Sequence, residues 1–264
     1  MIACALAIPA AAQPAPGANP AIYQRYAPVE LTGVWVSVVT EDWSVRMIPP
    51  AKGDFASLPL NANGQKAANA WDPARDAAAG ETCKAYGAPA LLRIPGRLKI
   101  GWEDGGATLR IDTDAGQQTR LLHFAGVEGN GQTGWQGYSA ASWEYAGGFD
   151  PVRAMAPSGD SPAPGSAVRR RYVPPPTTPQ GGALKVITTH LKPGYLRKNG
   201  VPYSKDAVLT EYFNVYADPY GVDWMVVTAI LHDPTYLAVD YITSTNFKRE
   251  PDDSKWRPRP CSLQ

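Results

Sequence analysis

Beyond its N-terminus, the sequence has no run of the ~18 consecutive apolar residues that a helix needs to cross a bilayer, so no membrane span is expected. Histidine is scarce, with three residues. His123, His190 and His232 could in number supply a catalytic zinc site. They stand apart, however, without an HxH, HExxH or Cys/His grouping, and no metal or other cofactor is expected. There is no G-x-S-x-G, no glycine-rich phosphate loop and no dinucleotide fingerprint, which removes the common hydrolase, nucleotide and nicotinamide signatures. A formal net charge of +1 with scattered Lys and Arg gives no footprint for nucleic acid. The one basic run, Arg169-Arg170-Arg171, lies in a proline-rich stretch and reads as a solvated loop.

Cysteine is also rare, and its placement is informative. An apolar run over Met1–Pro9 followed by Ala10-Ala11-Ala12 looks like a signal peptide lacking its basic start, here a remnant over 1–12. Cleavage there would remove Cys4 and leave Cys83 and Cys261 in an oxidising, secreted or periplasmic compartment, where pairing is expected.

Proline (26) and glycine (25) are abundant, as are Trp and Tyr (8 and 13), a composition that favours strands and turns over long helices. Residues 13–30 read as a disordered leader and 31–264 as a single β domain. The first strand runs over Leu31–Thr40. A helix is expected from about Asn63 to Trp71, ended by Asp72-Pro73. Leu91-Leu92-Arg93-Ile94 reads as extended. In the next strand Leu98, Ile100 and Trp102 share one face, and Thr108–Asp114 and Thr119–Phe124 complete a meander. A Pro/Gly-rich insertion spans about 147–182. After it come strands at Leu184–Leu191, Ala207–Tyr216, Asp223–Leu231 and Tyr236–Phe247, with an Asn199-Gly200 hairpin turn. Short connections without intervening helices predict an all-β, antiparallel up-and-down barrel with one short helix, closed because closure removes sheet edges.

Gly33-Val34-Trp35, opening the first strand after the leader, resembles the G-x-W entry of lipocalin-like calycin barrels. The resemblance implies that a late basic residue, Lys248 or Arg249, packs on Trp35. The stretches Trp35–Asp42, Ala70–Pro73, Cys83–Gly87, Arg93–Leu98 and Gly194–Tyr203 are similar to a group of secreted bacterial proteins. That similarity implies compartment and architecture and brings no catalytic residues.

Two polar sets are candidates for chemistry. If Ala115-Gly116 makes a two-residue turn, Asp112 faces Thr119 and Thr108 faces His123. Arg110, Asp112, Asp114, Thr119 and His123 then share a face, either a solvated wall or a charged cavity lining in which Arg110 or Arg120 pairs with an aspartate and His123 is left as acid or base. The second set is His190, Tyr195, Arg197, Tyr203, Glu211 and Tyr212. Glu211 shares a face with Leu209, Phe213 and Val215, and a carboxylate there is either structurally paired or, with His190 and Tyr195, fit for proton transfer. Glu41-Asp42 is a pair too close in sequence to share a face; Asp42 and Trp43 are candidates for a barrel mouth, and Trp102 for an aromatic lining. The sequence therefore points to a secreted barrel binding a small apolar or aromatic molecule. The alternative is a cofactor-independent isomerase, hydratase or lyase acting on such a molecule.

Overall fold

The computed structural model describes residues 21–103, 105–124, 133–148, 150–151 and 181–262. The signal-peptide remnant, Arg169–Arg171 and most of the insertion lie outside the described residues. Thirteen strands are assigned among them: β1 Gly33–Val38, β2 Arg97–Trp102, β3 Thr108–Thr113, β4 Ala115–Gly116, β5 Thr119–His123, β6 Tyr138–Tyr145, β7 Gly182–Thr189, β8 Gly194–Arg197, β9 Val201–Tyr203, β10 Val208–Ala217, β11 Asp223–His232, β12 Tyr241–Glu250 and β13 Arg259–Pro260. Five short helices accompany them: α1 Ile22–Arg25, α2 Trp43–Met47, α3 Ala62–Asn69, α4 Pro73–Ala78 and α5 Ala88–Leu91.

Nine strands close into a barrel in the order β1-β12-β11-β10-β7-β6-β5-β3-β2. All neighbours are antiparallel except β5 and β6, which pair in parallel at Leu122↔Ser139 and His123↔Ala140. The expected meander thus holds apart from one crossover. The helix expected near 63–71 is α3, with the Asn61 side chain accepting from Gly64 N at its start. Asp72-Pro73 not only stops it but opens α4: Asp72 accepts from Ala74 N, and Pro73 occupies the first turn, where its missing N–H costs nothing. Leu91-Leu92-Arg93-Ile94 is not a strand; Pro89 in the first turn of α5 sets helical backbone there, and Leu91 ends that helix.

The end at which β1 begins is sealed by aromatic packing. Tyr23, in a stretch read from sequence as leader, is buried against Phe124 with ring centroids 5.4 Å apart. Phe124 in turn meets Trp102 (5.3 Å) and Trp143 (5.0 Å). Trp143 Nε1 donates to Tyr23 O (2.8 Å) and Trp35 Nε1 to Leu31 O (2.8 Å), so these buried indoles keep their hydrogen bonds. The Arg249 guanidinium sits 4.1 Å over the Trp35 ring and donates to Glu30 O and Thr32 O, closing the mouth. Gly33 is required there: its φ is +116°, and a Cβ would meet Arg249 Nη1 at 2.8 Å. Above this plug, Ile100, Ile111, Leu184, Phe213, Met225 and Phe247 occupy the barrel axis.

The opposite end is capped by chain excursions. Leu60, Ala68, Ala88, the β8–β9 hairpin (Leu196, Val201, Tyr203) and Leu237 pack onto the strand-end residues Leu209, Leu231 and Tyr241. The C-terminal tail returns to pair β13 in parallel with β4, and the Cys83–Cys261 disulfide, with Cα atoms 5.1 Å apart, ties it to the cap. No helix among the described residues is long and apolar enough to cross a membrane.

Candidate functional site

The β3–β5 register is the one a two-residue Ala115-Gly116 turn dictates: Asp112 opposes Thr119 and Thr108 opposes His123. The face shared by Arg110, Asp112, Thr119 and His123 is the outer wall. There Arg110 Nε donates to Asp112 Oδ2 (2.8 Å), with both side chains open to solvent. His123 stacks on Tyr138 (centroids 5.3 Å) and bonds Thr108 through Nδ1 (3.2 Å); burial holds its pKa below the ordinary value. Asp114 departs from this face: it is buried beyond the strand end, where its carboxylate accepts from Arg97 N (2.7 Å). Tyr212 lies under the Lys185 ammonium (5.5 Å).

Arg120 points the other way, into the lumen, because it opposes the inward Ile111. Its guanidinium reaches across two strands to both oxygens of Glu211 (3.1 and 2.6 Å) and also donates to Ser139 and Thr188. Glu211 does share the inward face of Leu209 and Phe213, as the alternation implied. Its two oxygens are taken up by Arg120, whereas His190 is exposed beyond β7 at φ +57°, bonded to Thr189 (2.9 Å). Tyr195 joins neither of them. Its hydroxyl donates to Asp76 (2.7 Å) in the cap, and burial followed by Asp76 pushes its pKa up to about 12. Tyr203 is fully buried with no hydrogen-bond partner for its hydroxyl.

Asp42 and Arg197 meet elsewhere, at a cluster the sequence did not disclose. Asp42 takes a left-handed backbone (φ +51°) where β1 gives way to α2. That bend swings its carboxylate beside Glu41's, correcting the expectation that adjacent carboxylates point apart. Arg93 Nη1 donates to Glu41 (3.0 Å) and Nη2 to Asp42 (2.8 Å). Arg197, 8% exposed, donates through Nη1 to Ala56 O (2.7 Å), while its Nη2 stands 3.6 Å from Asp42 without a hydrogen bond. Arg46 donates through Nε to Arg93 O (2.8 Å), and its Nη2 is buried without a partner. Three guanidiniums therefore share two carboxylates. Burial, and then repulsion from Arg93, press the Arg46 pKa down to about 10, low for a guanidinium yet still charged at neutral pH.

These arginines wall a cleft of about 430 Å³ on the outer side of the cap. Its lining brings α2 (Val45, Arg46, Met47), the α5 turn (Arg93, Ile94, Pro95), the end of β8 with the residue after it (Leu196, Arg197, Lys198) and the tail (Arg259, Pro260, Ser262) together. Five cations line it, and no carboxylate does among the described residues. Gly116, at φ +78° in the floor, leaves room for the Tyr86 ring, which a Cβ would strike. Lys198 donates to Ser262 (2.9 Å). Of the residues singled out in the sequence, Arg197 lines this cleft and Asp42 stands behind it; Trp43 is on the rim helix, and Trp102 is at the far end in the aromatic plug. Apart from the adjacent Arg197 and Lys198, the cleft cations come from separate segments, and no local spacing in the sequence groups them.

Compared with known protein families, curated proteins and solved structures, the chain matches none.

Proposed function

We propose that this chain is a secreted or periplasmic binding protein for a small organic anion, held in the cap cleft with its acid group against Arg93, Arg197 and their neighbours. The observation that carries the reading is a lined cleft with five cations and no carboxylate. Its volume falls in the ~300–1,000 Å³ range of small-molecule sites. A lining with more positive than negative charge favours an anion, and Arg197, already buried, has less hydration left to lose on binding than an exposed cation would. The lumen is a poorer place for a guest: any apolar molecule there must displace Phe213, Met225 and Phe247, each buried to 1% exposure or less. In this reading the barrel is the support and the cap is the receptor, and the likeness to lipocalins is one of architecture, carried by Gly33, Trp35 and Arg249. The disulfide supports an oxidising compartment.

The test is calorimetric titration of a naphthalene sulfonate against its neutral hydroxymethyl counterpart. The sulfonate should bind one to one, weaken as salt is added, and bind several-fold less tightly to the Arg259→Gln and Lys198→Gln proteins. Equal affinity for the neutral compound, or no binding of either, refutes the reading.

A further inference from the structure

The cleft does not end at its cationic wall. Trp43 and Met47 are four residues apart on α2 and therefore lie on one face of that helix; Met47 lines the cleft, so Trp43 continues its wall outward. Trp43, Met47 and the following Ile48 are 67%, 59% and 71% exposed. They are three of the eight large hydrophobic side chains exposed among the described residues, gathered within six positions of the chain. Pro49 and Pro50 continue the cleft wall beyond them. The sequence from Trp43 to Gly53 holds Arg46 and Lys52 and no Asp or Glu. An apolar track thus leads out of the cationic cleft, and the carboxylates just before it in the chain, Glu41 and Asp42, are held by Arg93.

We infer that the ligand is a free, single-chain amphiphile, its anionic head on the arginine wall and its alkyl or aryl tail laid along Met47, Trp43 and Ile48. The inference rests on the binding function proposed above and adds the second half of the molecule. Head and tail make separable demands: the head needs charge complementarity, which any small anion meets, while the tail gains by covering apolar surface in proportion to its length. Inorganic phosphate or acetate would satisfy only the first.

A homologous series from butyl to decyl sulfate, kept monomeric and titrated calorimetrically, separates the two. Affinity should rise two- to fourfold with each added methylene, as burial of a CH₂ group implies. The longer members should shift to the blue an emission component that is missing from the Trp43→Phe protein. Trp43→Ser, at an exposed position that the fold does not depend on, should flatten the dependence on chain length. If butyl and decyl sulfate bind alike, the tail track is refuted and the anion site stands. If no member binds, both readings fall. If the protein ignores monomers yet cosediments with anionic phospholipid vesicles, the track is a membrane-docking face and the free amphiphile is wrong.

Discussion

At the end of the barrel where β1 starts, Tyr23, Trp102, Phe124 and Trp143 are in ring contact, and the indole N–H groups of Trp35 and Trp143 each have a carbonyl partner. Among the described residues, the buried side-chain polar atoms without a hydrogen-bond partner lie toward the other end: Arg46 Nη2, Gln136 Oε1, Arg197 Nη2, Asn199 Oδ1 and the hydroxyls of Tyr203 and Tyr241, with Arg120 Nε in the polar half of the lumen. One end satisfies its own chemistry and the other does not. Proteins tend to break the rules of consistent packing and pairing at functional sites. The contrast therefore assigns stability to the aromatic end and recognition to the cap, and the two can be perturbed separately.

The largest effect is expected at the sealed end. Trp143→Ala empties a buried site and strands Tyr23 O, which should cost about 3–5 kcal/mol of unfolding free energy by the usual range for such truncations. Urea unfolding followed by circular dichroism measures it. A loss below ~1 kcal/mol would mean that the aromatic plug is not where stability resides, and the division between the two ends would collapse.

Next comes the covalent link. The Cys83–Cys261 bridge spans a sequence separation of 178 residues and holds Arg259, Pro260 and Ser262 against the cleft. By the usual range for disulfides, a Cys83→Ser/Cys261→Ser protein should lose about 2–4 kcal/mol. Unlike Trp143→Ala, it should also bind the naphthalene sulfonate several-fold more weakly while still folded, because a wall of the site is released. Equal affinity in the two proteins would show that the tail contributes no wall.

The barrel was readable because its signals are local. Leu98-x-Ile100 and Leu109-x-Ile111 alternate within single strands, and Ala115-Gly116 fixes a register that determines which residues of β3 and β5 share a face. Two remaining cysteines in an expected oxidising compartment suggested their own partner. The Trp35 entry called for a late cation, and Arg249 supplies it. The cleft was not readable, for the opposite reason. Arg46, Arg93, Arg197 and Arg259 are drawn from α2, the α5 turn, β8 and β13, and only the folded cap brings them into one lining. Glu211 was placed on its correct face from alternation, yet its partner Arg120 lies 91 residues earlier in sequence and across the lumen, a pairing that periodicity does not encode. Leu91-Leu92-Arg93-Ile94 misled because its composition suits a strand, while Pro89, one turn earlier, decides for a helix.

The smallest expected change in stability is the sharpest probe of the comparison. A buried side chain that packs well costs free energy when removed; a buried charge short of counter-charge does not follow that rule, because its desolvation was never fully repaid. Arg46 comes close to this case: it is partly buried, and the nearby Glu41 and Asp42 carboxylates are hydrogen-bonded to Arg93 instead. It has no carboxylate hydrogen bond, one guanidinium nitrogen lacks any partner, and Arg93 beside it has the same sign. Glutamine at this position retains an amide N–H for the Arg93 carbonyl and removes the charge. Arg46→Gln should therefore unfold within ~0.5 kcal/mol of the parent, or at higher denaturant, as substitutions that relieve strained functional sites often do. The same protein should bind the naphthalene sulfonate several-fold less tightly. A stability loss comparable to that of Trp143→Ala would mean that Arg46 is a structural strut and that the cap is as self-sufficient as the aromatic end.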